Sequence, residues 1–345
     1  PATDPNKKNA FNEFGKTHVL PFLDTNRFDT FVDKLKFKDF CREIGLKTTP
    51  LIRVLSSPNE LEAVWSTLPE KFVVKSNKGA GRNAIVQSKQ STNAKAVLQQ
   101  LENWDAPYWN KNECHYEHTV PRLFIETFID PLPEDIKVVL VDNVPTVVWS
   151  DQDRFEAHTR TVYAVERGTA NLTRLNDCFW HCPTGQLSRK NEIDRCVEKG
   201  LMKDVLRFAT EISRRIDLRM VRVDFYIIDG AVTGGEVTLS SGGFNEKISL
   251  SCAELAVWSA VPLGAADTAG DAFDAAAALA TLASPATWHD ETTFLRALRE
   301  RVDRRLAIID THGSAPQPAE PEAAPNDCRT LFDPETIAEA RRASA

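Results

Sequence analysis
The sequence predicts an α+β fold. Two observations carry this: strands are interleaved with helices, and the clearest pair of strands is an antiparallel hairpin, a combination that argues against a doubly wound sheet. Residues 27–46 come first, as a helix, with Phe28, Phe31, Leu35, Phe40 and Ile44 near helical spacing and Gly45 to close it. A short helix is expected over 59–67. Four strand-like runs rich in Val, Ile or Phe follow at 71–75, 84–88, 122–129 and 136–149. Leu201, Val205, Phe208, Ile212 and Ile216 make one apolar face of a third helix. Residues 220–228 and 231–239 form the hairpin around Asp229-Gly230, a pair that suits two successive positive φ angles. Residues 253–286 are Ala-rich and 292–309 amphipathic, so both are expected to be helical. Residues 313–327 are rich in Pro, Ala and Glu and read as a linker, and 331–345 as a peripheral helix or a disordered tail. The expected division is an N-terminal lobe (1–65), a central lobe (66–130), a C-terminal lobe with a helical extension (131–312), and a linker with its tail (313–345).

Composition narrows the function classes. A chain of 345 residues that is 42% hydrophobic can bury a large core. The net charge of −7, without a basic stripe, argues against nucleic acid as a partner. Cysteines stand at 41, 114, 178, 182, 196, 252 and 328; an odd, scattered set argues against a disulfide framework and for a reducing compartment, the cytoplasm. Pro1 to Phe14 has no apolar signal core, and no window of about 18 apolar residues exists to span a membrane. The sequence carries no signal for an oligomeric state.

Four segments carry candidate chemistry. In Lys71 to Asn83 an apolar strand delivers Lys75, and a glycine turn follows at Gly79 and Gly81. Glycine lets backbone N–H groups approach phosphate oxygens, and Lys adds a point charge, although an ordinary hairpin turn with solvated lysines fits the same string. Asp33-Lys34 sits in the first helix, where Lys34 could face a phosphate or be a plain surface lysine; Lys36 and Lys38 compete for that role. In the third segment Glu126 ends the apolar strand from Leu123, and Glu134-Asp135 opens the next, followed by Lys137. Adenine needs a backbone donor and acceptor on an apolar shelf, and ribose needs a carboxylate acceptor; a charged strand end is the plainer alternative.

The fourth segment, Val221 to Thr238, is the most specific. Arg222, Asp224 and Tyr226 alternate onto one strand face among Val, Phe and Ile, which is costly unless the charges are paired or hold a metal. Asp224 and Glu236 on neighbouring strands would suit Mg²⁺; a buried Arg222–Glu236 salt bridge is the alternative. A strict two-residue turn would put Asp224 opposite Gly235 and send Glu236 to the other face. One extra residue restores the match, and a β-bulge at Gly234-Gly235 is the expected device, with a longer turn over 229–231 as its alternative.

Two weaker signals remain. Cys114, His118, Cys178, His181 and Cys182 could be pictured as a zinc site, but their irregular intervals favour buried thiols and surface histidines. The polar run Asp151 to Arg160 could be a substrate loop, with Arg154 and His158 as its contact residues, or a solvated connection.

Lys34, Lys75, Glu126, Asp135 and the Arg222/Asp224/Glu236 hairpin occur in the order typical of the ATP-grasp superfamily. The strings RVDFY…G…GEVTL and DIKV resemble the teichuronopeptide-biosynthesis (TupA-like) ATP-grasp family, over about residues 30–250. The resemblance implies two α+β lobes clasping ATP, with a small N-terminal lobe. It implies Lys34 and Lys75, with the Gly79 and Gly81 turn, on the phosphates; Glu126 with the backbone of Thr127 and Ile129 on adenine; and Asp135 on ribose. Lys137 and Arg222 would face the γ-phosphate and the reacting acyl group. Asp224 and Glu236 would bind Mg²⁺, with Thr238 where many ATP-grasp enzymes have Asn. The implied reaction is ATP-dependent carboxylate–amine ligation through an acyl-phosphate, on small-molecule substrates, joining an amino acid to a sugar acid or peptide. A kinase with Asp151 or His158 as base, and a nucleotide-binding protein without turnover, are its rivals.

Overall fold
The computed structural model describes residues 10–106, 111–152, 159–165, 169–175 and 190–244. The expected helices at 253–286 and 292–309, the linker and the tail lie outside the described residues.

The chain runs α1 (Ala10–His18), α2 (Asp29–Val32), α3 (Lys34–Glu43), β1 (Lys47–Thr48), β2 (Leu51–Leu55), α4 (Glu60–Val64), β3 (Phe72–Ser76), β4 (Asn83–Val86), α5 (Ala94–Gln100) and β5 (Leu123–Thr127). It continues through β6 (Asp135–Val141), β7 (Val144–Gln152), β8 (Thr159–Val165), β9 (Leu172–Leu175), α6 (Glu192–Glu198), α7 (Met202–Ile216), β10 (Met220–Ile228) and β11 (Ala231–Thr238). Two sheets result. The larger has seven strands in the order β1-β11-β10-β6-β7-β8-β9, and the smaller has four, β2-β5-β3-β4. The α+β class stands.

The chain passes from the large sheet to the small one at Thr49-Pro50 and returns between Thr127 and Asp135. The two crossings touch, since Thr127 N–H donates to the Pro50 carbonyl at 3.0 Å. β2 lies within the stretch expected as an N-terminal lobe, yet it pairs with β5 in the small sheet, while β1 pairs with β11.

Two expected elements differ. The helix over 27–46 is broken at Asp33, which leaves the helical region (φ −72°, ψ 110°) and caps α3 by accepting from Leu35 and Lys36 N–H. Periodicity alone misses this break because the apolar residues keep their spacing on both sides of it. The helix then ends at Glu43, with Gly45 at φ 72°. The run 136–149 is not one strand but the β6–β7 hairpin, turned at Asp142 and Asn143 with φ 48° and 65°. Asp and Asn tolerate the left-handed region that such tight turns need.

One face of the large sheet packs on α6 and α7, where Val205, Ala209 and Ile212 are wholly buried. The small sheet buries Phe72, Val74, Leu123 and Ile125 against α4 and α5. Each sheet thus has one committed apolar face and one face left for chemistry.

Candidate active site
The site on the large sheet is assembled by strand register. Asp229 (φ 51°) and Gly230 (φ 73°) close a two-residue turn, so Ile228 faces Ala231. Pairing then slips by one residue: Phe225 faces Gly234, but Asp224 faces Glu236, leaving Gly235 as the extra residue. The longer-turn alternative is thereby excluded, and the bulge lies where two glycines make it cheap. Asp224 faces Lys137 on the other side, Lys137 faces Trp149, and Arg222 lies between Thr238 and Val139. One further row brings Asp135 opposite Asp151, and Asp151 opposite Arg160.

These side chains form a buried charge lattice. Arg222 grips Asp224 through two bonds, Nε–Oδ1 at 2.7 Å and Nη2–Oδ2 at 2.9 Å, and donates to the Thr238 and Ser241 hydroxyls at 3.0 Å each. Its Nη2 also lies 3.8 Å from Glu236 Oε1, so both carboxylates converge on one nitrogen. Lys137 pairs with Asp135 and stands 3.4 Å from Asp151 and 3.8 Å from Asp224. Asp151 takes a bidentate grip from Arg160, at 2.6 and 3.2 Å, and the guanidinium lies 4.9 Å from the Trp149 ring centre. Burial raises the Asp224 pKa; Arg222 and Lys137 pull it down but do not prevail, and Glu236 pushes it further up. Burial, then the nearby Asp135, raises Tyr226, whose hydroxyl bonds to that carboxylate.

The second half of the site lies on the small sheet and α3. Lys34, the first residue of α3, donates to the Gly79 carbonyl at 2.5 Å. Burial lowers its pKa, and Glu236, Lys75 and Glu126 are among the charges it feels, so the two halves share one field. Gly79 and Gly81 both take positive φ, 76° and 72°, as a tight glycine turn requires. Lys75 pairs with the Glu126 carboxylate, and Lys38 reaches the same carboxylate at 3.0 Å. Burial works to raise the Glu126 pKa, but Lys75 and Lys38 outweigh it and hold the group low. Register places Leu51, Val54 and Ile85 on the same sheet face as Lys75 and Glu126, and all three are exposed, at 44%, 38% and 42%. This is an apolar shelf beside a cluster of lysines.

The structure therefore brings together Lys34, Lys75, the Gly79–Gly81 turn and Glu126 on one side, and Asp135, Lys137, Arg222, Asp224, Glu236 and Thr238 on the other. Thr127 and Ile129 follow on the return crossing, where the Thr127 N–H is already committed to Pro50. Arg154 and His158 lie outside the described residues, as do Cys178, His181 and Cys182. Sequence reasoning gave no role to the Lys38–Glu126 pair, to the Asp151–Arg160 pair, to the Tyr226–Asp135 bond or to Ser241. Lys38 left a signal, one helical turn beyond Lys34, and Asp151, Arg160, Asp135 and Tyr226 stood out one by one, but not as pairs.

Two lobes with facing polar surfaces, a lysine and glycine turn on one and an acidic hairpin on the other, define an ATP-grasp protein. The TupA-like ATP-grasp family matches residues 24–251, and the chain belongs to that family. None of the curated proteins matches it. Among solved structures, the D-alanine–D-alanine ligase from Bacillus anthracis complexed with ATP is similar at 17% identity and TM-score 0.35, over 62% of this chain and 55% of that one. The D-alanine–D-alanine ligase from Coxiella burnetii is similar at 12% identity and TM-score 0.41, over 83% and 63%. The N5-carboxyaminoimidazole ribonucleotide synthetase from Thermus thermophilus is similar at 13% identity and TM-score 0.35, over 61% and 45%. The chain thus spans between about half and two thirds of each of these structures. Among the described residues, no helix is long and apolar enough to cross a membrane.

Proposed function
We propose that the protein is an ATP-dependent carboxylate–amine ligase acting on small molecules in the cytoplasm, with ADP as a product and an amide bond formed through an acyl-phosphate. The observation that carries this reading is the Gly235 bulge, which turns Asp224 and Glu236 to one face beside Arg222 and opposite the lysine-bearing sheet.

The donor set fits a hard divalent cation. Asp224, Glu236 and the Thr238 hydroxyl offer oxygen ligands, and Mg²⁺ commonly takes one or two carboxylates and completes its shell with phosphate and water. Such a cation would neutralise charge between the β- and γ-phosphates during transfer.

The protein's own groups supply the rest. Lys34, Lys75 and the Gly79–Gly81 turn hold phosphate oxygens; Leu51, Val54 and Ile85 give adenine an apolar bed; Asp135 accepts from ribose. Arg222 and Lys137 stand where the acyl oxygen and the γ-phosphate would gain charge, already oriented by Asp224 and Asp135. No protein nucleophile is required. An amino acid joined to a sugar acid or peptide is the substrate pairing the family suggests. The test is ADP and phosphate release, screened over amino acids and uronic acids. A ligase releases both when carboxylate and amine are present together. ADP without free phosphate would mean a kinase, and neither product, with ATP bound, would mean a binding protein.

A further inference from the structure
The Glu126 carboxylate sits between two lysines, and the two are not equivalent. The Lys38 side chain is 12% exposed and its ammonium is held by two partners, lying 3.0 Å from Glu126 Oε2 and donating to the Thr49 carbonyl at 2.7 Å. Thr49 belongs to the crossing between the sheets, so this lysine ties α3, the crossing and β5 together. Lys75 is 30% exposed and pairs with Glu126 Oε1. It is the more open of the two, on the face that carries the apolar shelf.

We propose that Lys38 is a charge-keeping residue: it holds Glu126 neutralised when Lys75 turns from that carboxylate to a nucleotide phosphate. Glu126 then acts on the charge of the site, not on the adenine ring. This role for Lys38 rests on the nucleotide reading given above, and on electrostatics. A lysine that contacts phosphate must give up much of its present partner. Glu126 is only 5% exposed in its side chain, and a buried carboxylate stripped of its counter-ion is costly. With Lys38 in place, Glu126 keeps one counter-ion throughout, and Lys75 can be shared. Without Lys38, Glu126 would retain Lys75 and face the incoming phosphate as a like charge. Lys38 is thus a positioning residue that acts through Glu126 and Lys75.

The experiment is calorimetric titration of the full chain with Mg²⁺ and the non-hydrolysable ATP analogue AMP-PNP, and separately with adenosine. Lys38→Met is expected to weaken AMP-PNP binding about tenfold or more, to leave adenosine binding unchanged, and to be rescued by Lys38→Arg. Adding Glu126→Gln to Lys38→Met should restore AMP-PNP affinity, a recovery that a merely structural role for Lys38 would not produce. Equal AMP-PNP affinity for wild type and Lys38→Met, or no recovery in the double variant, overturns the inference. Should Lys38→Met fail to fold, Glu126→Gln alone decides. It is expected to bind AMP-PNP at least as tightly as wild type, and weaker binding of both AMP-PNP and adenosine would return Glu126 to the adenine ring. Wild-type protein that binds no AMP-PNP would overturn the nucleotide reading itself.

Discussion
The two sheets carry their charges in opposite ways. On the large sheet Asp135, Lys137, Asp151 and Asp224 are each 5% exposed or less and are paired across strands, so their positions follow from register. On the small sheet the charged groups lie beside exposed Leu51, Val54 and Ile85, and Lys75 remains partly open. The first arrangement is pre-ordered: its charges are placed before any substrate arrives, which is how a protein stabilises charge that develops late in a reaction. The second is exchangeable, because Lys75 holds a carboxylate that a phosphate can replace. Phosphoryl chemistry asks for both, a fixed frame at the reacting end and a surface that can change partners as the nucleotide enters.

The largest break in this contrast is expected from the fixed frame. Asp224→Asn should lower turnover by about a hundredfold or more, and Glu236→Gln should do the same, read as ADP release at saturating magnesium. Their stabilities should separate. Asp224 is held by Arg222 and lies near Lys137, all buried, so its loss should cost about 3 kcal/mol in a denaturant titration. Glu236 is 35% exposed in its side chain, and its replacement should cost little. Near-normal turnover by either variant would remove the shared cation.

A smaller effect tests the bulge that builds the frame. A Cβ on Gly235 would lie 2.9 Å from the Asp224 carbonyl oxygen and 2.8 Å from Tyr226 Cε2. The first obstacle is backbone, which cannot move without disturbing the pairing of Asp224 with Glu236. On Gly234 the nearest atoms are side-chain ones, Leu46 Cδ2 at 2.9 Å and Cys41 Sγ at 3.2 Å. Gly235→Ala should therefore cost about 1–3 kcal/mol and lower turnover, while Gly234→Ala should cost less and spare the reaction. Equal effects on turnover would mean that the bulge does not set the metal geometry.

The same contrast governs how much was legible in the sequence. The hairpin half of the large-sheet site could be derived, because strand alternation and the Asp-Gly turn fix which residues share a face, and a pair of glycines marks where the count must slip; the roles of Asp135 and Lys137 came only from the family resemblance. The small-sheet site was legible only as types of residue. Lys75 and Glu126 could be named, but their mutual pairing depends on how β3 lies beside β5, a contact over about fifty residues of chain that no local pattern encodes. The break at Asp33 escaped for a related reason. An N-cap carboxylate inside a periodic stretch alters the backbone without altering the hydrophobic count. Arg222 was expected to pair with Glu236 if it paired at all; the structure gives Asp224 the bidentate grip, since the bulge leaves Glu236 further out.

An effect on stability alone, with none expected on turnover, concerns a polar group that neither sheet pairs. His115, in the 3-10 stretch Lys111–His118, is 1% exposed, and among the described residues neither ring nitrogen has a hydrogen-bond partner. Burial, with a small push from His118, lowers its pKa from 6.5 to about 3. The sign follows from proton counting. Between those two values the unfolded chain binds a proton that the folded chain refuses, so folding is favoured above pH 6.5 and loses ground as the pH falls. The loss approaches about 1.4 kcal/mol per pH unit from this group alone. Other groups also titrate in this range, and comparison with His115→Leu cancels them. Urea titrations at pH 7.5 and pH 5 should show wild type losing about 2 kcal/mol more than His115→Leu over that interval. Parallel losses would mean that the imidazole accepts its proton in the folded state, so that His115, like the carboxylates and lysines of the two sheets, has a partner that stabilises its charge.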